Sequence, residues 1–304
     1  MRAVRFHEYG DASALTLDDD VEAPHAGPGQ VRIAVRAAGV NPMDWKFRAG
    51  YMREFMPVEL PTTPGGEAAG VVDEIGVGVE GVTIGDELFG LTGISNGYAE
   101  HAVLFTWAPK PAAWSWAQAA GAGIAVETAT RALDELGVAD GNTLLINGAA
   151  GGVGTAAVQI ARARGIHVIG TAGEGNHQLL RDLGALPVAY GEGLPERVAA
   201  IAPNGVDFVL DAVGKGSLQE FVSLVGLPAK VITIAHPDAS ELGVPYSAGA
   251  EPTGAYGLAV VAELANDKAY TVPVQATYTF EQAAEAHRIS EAGHLGGKLV
   301  LTTD

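Results

Sequence analysis

The chain has 304 residues, of which 48% are hydrophobic, a net charge of −18 and no cysteine. That length and apolar content can bury a large core and point to two domains of about 100–200 residues each. The negative charge excludes nucleic acid and anionic membranes as partners, because binding them needs clustered Lys and Arg, and the missing cysteines exclude disulfides and thiolate metal sites.

The first residues, MRAVRFHEYG, lack the apolar stretch of a signal peptide, and no run in the chain reaches the roughly 18 apolar residues of a membrane span. A cytoplasmic protein with no membrane partner is expected. Residues 30–37, QVRIAVRA, alternate apolar and polar as a half-buried strand does. Val71 to Ile75, Glu87 to Phe89 and Ala99 to Leu104 do the same after Gly-rich turns, so the chain up to about residue 110 reads as mainly β. Near Trp114 the texture changes. WAQAAGAGIAVETATRALDELG spaces Ala, Leu and Glu as a helix does and stops at Gly137, a C-terminal cap.

Strands and helices then alternate: a strand Thr143 to Asn147, a helix from Gly152 to Arg164, a strand His167 to Thr171, a helix ending at Gly184, and strands Val206 to Asp211 and Lys230 to Ile234. That order predicts an α/β fold, a doubly wound parallel sheet. From Tyr270 the pattern returns to a strand, a helix FEQAAEAHRISEAG and a last strand KLVLTT, expected to rejoin the first domain.

The sharpest motif is TLLINGAAGGVGTAAVQIARARG at 143–165, a strand, a Gly-rich turn and a helix. Glycines at such a turn let the backbone approach a pyrophosphate, and the helix's unpaired N–H groups and positive dipole end hold the anion. Gly151, Gly152 and Gly154 are the candidate glycines, with Ala150 and Val153 between them, and Ala149 stands in the first glycine's place. The alternative is a Gly-rich helix start that only packs tightly on its strand.

The tip of the second strand reads GTAGEGNH, where an Asp or Glu would bind a ribose 2′-hydroxyl. Thr171, Ala172 and Gly173 are small and uncharged and leave room for a 2′-phosphate, for which Asn176, His177 and Arg181 are donors; NADP(H) is favoured. Glu174 would bind a ribose if the loop folds back.

With these segments in view, the chain resembles the medium-chain dehydrogenase/reductase superfamily, and within it the zinc-free quinone oxidoreductase group related to zeta-crystallin. The resemblance rests on AAGVNPMDWKFRAGY (37–51), PGGEAAGVVDEIGVGVEGVTIGDELFG (64–90), NGAAGGVGTAAVQIARARG (147–165) and GHLGGKLVL (293–301). It implies a GroES-like, mainly β catalytic domain from residues 1–120 and 270–304, a Rossmann domain over 121–269, an active site in the cleft and a homodimer. It also implies cofactor roles for Thr128, Tyr190, Val213, Thr233, Ile234, Ala235 and Lys298. Gly297 stands where many relatives have Arg, and Glu127 replaces a usually apolar residue.

Zinc alcohol dehydrogenases carry a ligand Cys where this chain has Asn41 and a ligand His where it has Gly66. A catalytic zinc needs about three ligands from Cys, His or carboxylate, so none is expected here, and His101, His236, His287 and His294 show no metal-like spacing. Quinones and enones accept hydride with only hydrogen-bond help, whereas a simple ketone gains most from a Lewis acid. The expected function is NADPH-dependent hydride transfer to a quinone or α,β-unsaturated carbonyl compound, with Asn41 and Tyr51 as oxyanion donors; a non-catalytic NADPH-binding structural or sensor protein is the alternative.

Asp44 is included with Asn41 and Tyr51 as a candidate catalytic residue, although an N-cap role for a short helix through Trp45 and Phe47 is the reading its position favours. Trp45, Phe47, Met52 and Phe55 line an acceptor pocket or belong to the core. Gly93 to Gly97 match the G-x-S-x-G of hydrolases, but the strand-like YAEHAVL that follows favours a β-turn.

Overall fold

The computed structural model describes residues 1–54, 56–216, 218–249 and 253–303. Phe55 therefore lies outside the described residues. The chain divides into two units, residues 1–124 with 258–304, and residues 125–257. The return crossing falls at 257/258, against the expected 269/270.

The first unit opens with β1 (Ala3–Phe6) antiparallel to β2 (Leu15–Asp18). The long strand β3 (Val31–Val40) alternates buried and half-buried residues at its start and is buried throughout from Ala37. Pro42 opens α1 (Pro42–Arg48) at a position where no backbone donor is needed. Asn41 is the N-cap, and Asp44 reaches back from the third helical position to accept the Asn41 backbone N–H at 2.8 Å. Asp44 thus belongs to a capping box and is not itself the N-cap.

Strands β4 (Glu67–Ile75), β5 (Glu87–Leu91), β6 (His101–Leu104) and β7 (Thr106–Pro109) follow. Ser95 bridges Pro64 and no helix follows it, so the G-x-S-x-G stretch is a turn. The single helix expected from Trp114 is two, α2 (Trp116–Ala120) and α3 (Gly123–Leu136). The break falls at Gly121, where an added Cβ would come within 3.2 Å of the Lys298 side chain.

The second unit is built from β8 (Thr143–Asn147), α4 (Gly152–Ala163), β9 (His167–Thr171), α5 (His177–Asp182), β10 (Leu186–Val188), α6 (Leu194–Ile201), β11 (Phe208–Asp211), α7 (Leu218–Val225) and β12 (Val231–Thr233). The strands form one parallel sheet in the order β10-β9-β8-β11-β12. Leu145, Ile169, Val188, Val209 and Val231, one from each strand, meet in its core. The chain leaves β8 toward β9 and returns to β11 on the other side, so β8 marks the topological switch point beside which such sheets bind ligands.

The tail, α8 (Gly257–Asn266), β13 (Val274–Thr279), α9 (Ala283–Ala292) and β14 (Lys298–Thr302), completes the first unit. β14 pairs antiparallel with β3 from Leu299 opposite Val40 to Thr302 opposite Ala37, and parallel with β13. Among the described residues the sheet runs β13-β14-β3-β4-β5-β7, with β6 also on β3. Leu299 and Leu301 join Ile33, Val72 and Leu104 in its core.

Candidate active site

The C-terminal ends of the parallel strands carry one continuous polar chain. Parallel register sets Asn147 opposite Asp211 and Asp211 opposite Thr233. Asn147 Nδ2 donates to Asp211 Oδ1 at 2.9 Å, and the Thr233 hydroxyl donates to Asp211 Oδ2 at 2.7 Å. On the other side the Thr171 hydroxyl donates to Asn147 Oδ1 at 2.8 Å and accepts the Gly148 N–H at 2.9 Å. Asp211 also accepts the Val213 N–H at 3.1 Å and the Gly214 N–H. The buried carboxylate therefore ties the first turn to the last strand, and all of its acceptor capacity is used within the protein.

Gly148 begins the turn with φ +79°, and a methyl group there would overlap Val213 Cγ2. Gly154 packs so closely on Gly148 and Ala149 that no Cβ fits. Between them Gly151 caps α4, whose first-turn amides on Gly152, Val153 and Gly154 have no intrahelical acceptor. Gly151 to Val153 are half-exposed, while Ala150 is buried. This arrangement of glycines and free amides fits a dinucleotide pyrophosphate.

At the tip of β9, Thr171 is buried with its hydroxyl turned inward, Ala172 is buried, and Gly173 is half-exposed. His177 Nε2 lies 3.2 Å from the Ala172 carbonyl, Asn176 is half-buried, and Glu174 points to solvent in the following turn. Tyr190 is half-exposed, and its hydroxyl lies close to Gly173. Arg197 shapes that loop by donating to the carbonyls of Ala189, Gly191 and Glu192. Ile234 and Ala235 are half-buried beyond β12, and Thr128 on α3 donates to Glu127 at 3.3 Å.

In the first unit, Asn41, Glu67 and Lys298 form a buried cluster. Asn41 Nδ2 donates to Glu67 Oε1 at 2.8 Å, and Lys298 Nζ donates to Asn41 Oδ1 at 2.5 Å and to Glu67 Oε1 at 2.7 Å. Glu67 Oε2 accepts the Ile124 N–H at 2.8 Å. Lys298, expected at the cofactor, is thus held in the Asn41 cluster. These residues do not fit a zinc ion: Asn41 offers a neutral amide, Gly66 no side chain, and the Glu67 carboxylate already holds an ammonium. Among the described residues no group of three or more His, Cys, Asp or Glu side chains is placed to hold a metal.

Asp44 lies beside this cluster, its Oδ2 accepting the Tyr98 hydroxyl at 2.7 Å. Burial pushes its carboxyl up to about 7, against the pull of the Asn41 and Tyr98 hydrogen bonds. Burial and the Asp44 charge push the Tyr98 phenol well above its usual range. Beyond Tyr98, burial and then the Arg48 charge lower His287 to about 3. Tyr51, by contrast, is 71% exposed and packs edge-on against Trp45.

Asn147, Gly148, Asp211 and Glu67 were not among the residues expected from sequence. Asn-Gly at the end of the first strand was the available signal for two of them; Glu67 and Asp211 become visible only through partners distant in sequence, Asn41 and Lys298 for the one, Asn147 and Thr233 for the other.

A mainly antiparallel GroES-like unit joined to a parallel dinucleotide-binding unit defines a medium-chain dehydrogenase/reductase. Residues 27–127 match the alcohol dehydrogenase GroES-like domain and residues 183–301 the zinc-binding dehydrogenase family. The chain is 33% identical to the quinone oxidoreductase of Rattus norvegicus over 99% of its own length and 98% of the rat protein's. It is 34% identical to the 2-methylene-furan-3-one reductase of Solanum lycopersicum over 77% of this chain and 62% of that protein. A mycobacterial protein solved in complex with NADPH superposes with a TM-score of 0.82 at 26% identity, covering 99% of this chain and all of that one. The chain belongs to the quinone oxidoreductase group of the medium-chain dehydrogenases/reductases and is an oxidoreductase that binds a nicotinamide cofactor.

Proposed function

We propose that this protein uses NADPH to reduce quinones or α,β-unsaturated carbonyl compounds without a metal ion. The observation that carries the reading is the polar chain from Gly148 through Thr171, Asn147 and Asp211 to Thr233. It holds the pyrophosphate turn and the nicotinamide-side strand end in one rigid frame.

Preference for NADPH follows from the β9 tip. No carboxylate stands in the second-strand position that would bind a 2′-hydroxyl, and the neighbouring Asn176 and His177 are uncharged or basic. When bound, the cofactor supplies a hydride from the C4 position of its reduced nicotinamide. Gly151, Gly152, Val153 and Gly154 hold its pyrophosphate; Gly173, Asn176, His177 and Tyr190 lie at the adenosine end; Thr128, Val213, Thr233, Ile234 and Ala235 line the nicotinamide.

The acceptor's developing oxyanion is stabilised by the Tyr51 hydroxyl, which no protein group claims among the bonds described, and by the second N–H of the Asn41 amide. Lys298 and Glu67 fix that amide's orientation. Asp44 holds the start of α1, and the final proton comes from water. The relatives named for quinone and furanone reduction act on conjugated carbonyl compounds, which supports this class of acceptor.

The test is label transfer. Reduction of an enone with NADPH carrying deuterium at both C4 positions is expected to give product with one deuterium on the carbon β to the carbonyl. Product without deuterium would contradict hydride delivery.

A further inference from the structure

Glu127 and Arg131 stand one turn apart on the same face of α3, with side chains only 8% and 4% exposed. Arg131 Nε donates to Glu127 Oε1 at 2.9 Å, and Nη2 donates to Oε2 at 3.3 Å. The third arm, Nη1, donates to the hydroxyl of the buried Ser247. Ser247 is held from its other side by β12. Its N–H donates to the Thr233 carbonyl at 2.9 Å, and the Thr233 N–H donates to the Pro245 carbonyl at 3.1 Å.

Residues 245–247 therefore run along the β12 edge, where Tyr246 bridges Thr233 in parallel and its hydroxyl donates to the Ile234 carbonyl at 3.1 Å. Gly249 and Gly257 also lie against α3. A methyl group on Gly249 would come within 3.1 Å of Arg131 Nη2, and one on Gly257 would overlap the Thr130 hydroxyl.

A buried ion pair returns little net stability, because desolvating both charges costs about as much as their attraction yields. What it does supply here is direction. A guanidinium presents its five N–H donors in a fixed plane, and Nε and Nη2 both bond the helix's own carboxylate. That fixes the direction in which Nη1 meets Ser247.

We propose that Glu127 and Arg131 are positioning residues that clamp Ser247, and through it the Thr233–Ala235 strand end, in the register that aligns the nicotinamide for transfer. This rests on the reading that this strand end lines the nicotinamide. The pair touches no reacting atom, and it acts on alignment, to which transfer rates are steeply sensitive. Thr233 also closes the Asp211 chain through its hydroxyl, so the clamp and the pyrophosphate turn bear on one residue from opposite sides.

The test compares the parent protein with Glu127→Leu/Arg131→Met, which removes both charges together, and with Ser247→Ala, which removes the acceptor and keeps the backbone. Two readouts are taken: amide exchange at Thr233 and Ser247, and turnover of a quinone with NADPH and with C4-deuterated NADPH. The expected result is faster exchange at both amides, a melting temperature close to the parent's, kcat lowered roughly tenfold with an unchanged quinone KM, and a larger isotope effect. Unchanged exchange in a folded double variant and in Ser247→Ala would overturn the proposal, as would faster exchange with unaltered kcat and isotope effect. A parent protein that never oxidises NADPH would overturn the proposed function, and exchange would then decide the clamp by itself.

Discussion

Asn147 and Asp211 face each other across adjacent parallel strands, 64 residues apart in sequence, with the Asn147 amide donating to the Asp211 carboxylate at 2.9 Å. Every other bond of the polar chain leads into this pair. Asp211→Asn would put an N–H where donors from Asn147, Val213, Gly214 or Thr233 converge. That leaves at least one buried donor without an acceptor, at a cost of about 1–3 kcal/mol. A roughly tenfold weaker NADPH affinity is expected by fluorescence titration, with quinone KM little changed.

Gly148 is required twice, by its positive φ and by Val213. Gly148→Ala is expected to lower stability by about 1–3 kcal/mol in urea unfolding and to weaken NADPH binding. Gly175, exposed and with nothing within 4 Å of an added methyl group, is the control: Gly175→Ala should stay within about 0.5 kcal/mol of the parent.

Lys298 and Glu67 neutralise each other in the interior, with side chains 5% and 0% exposed. Lys298→Met strands the carboxylate and is expected to cost about 3–5 kcal/mol. Glu67→Gln/Lys298→Met should recover most of that loss in thermal melts. A double variant as unstable as the single one would show that the pair's packing, and not its charge balance, holds the cluster.

Two buried groups near Tyr98 act on stability in opposite senses. Asp44 is raised from 3.8 to about 7, so its contribution is full below about pH 4 and is lost as pH rises toward 7. His287 is lowered from 6.5 to about 3, so its contribution is full above about pH 6.5 and is lost as pH falls toward 3. Over the shared window the two trends offset. Asp44→Asn removes the first and is expected to make unfolding free energy rise more steeply between pH 4 and 6.5 than in the parent. Parallel curves for variant and parent would show that Asp44 does not titrate across this window.

The strands of the second unit were legible where short apolar runs lie between turn residues, so β8 and β9 appear with the expected bounds. β10 was not, because its three residues Leu186, Pro187 and Val188 carry no period and owe their strand state to pairing with β9. The return of β14 to the first domain could be read from the texture of the tail. The break between α2 and α3 could not, since the helical spacing of Ala, Leu and Glu continues straight across Gly121 and Ala122.

The site shows the same division. Gly151, Gly152 and Gly154 announce themselves through local spacing. Asp211 looks like the end of any buried strand until parallel register brings Asn147 and Thr233 to either side of it. Asn41 was singled out as an oxyanion donor, and nothing local foretold that its amide is buried and bound to Glu67 and Lys298, neither of which is near it in sequence.

If NADPH reduces a conjugated acceptor here without a metal, initial rates of NADPH oxidation measured with chelator present will show turnover of a benzoquinone or an enone and none of a saturated ketone, with slower rates for NADH. Ketone reduction that the chelator abolishes, or tight NADPH binding with no turnover of any conjugated acceptor, would contradict it.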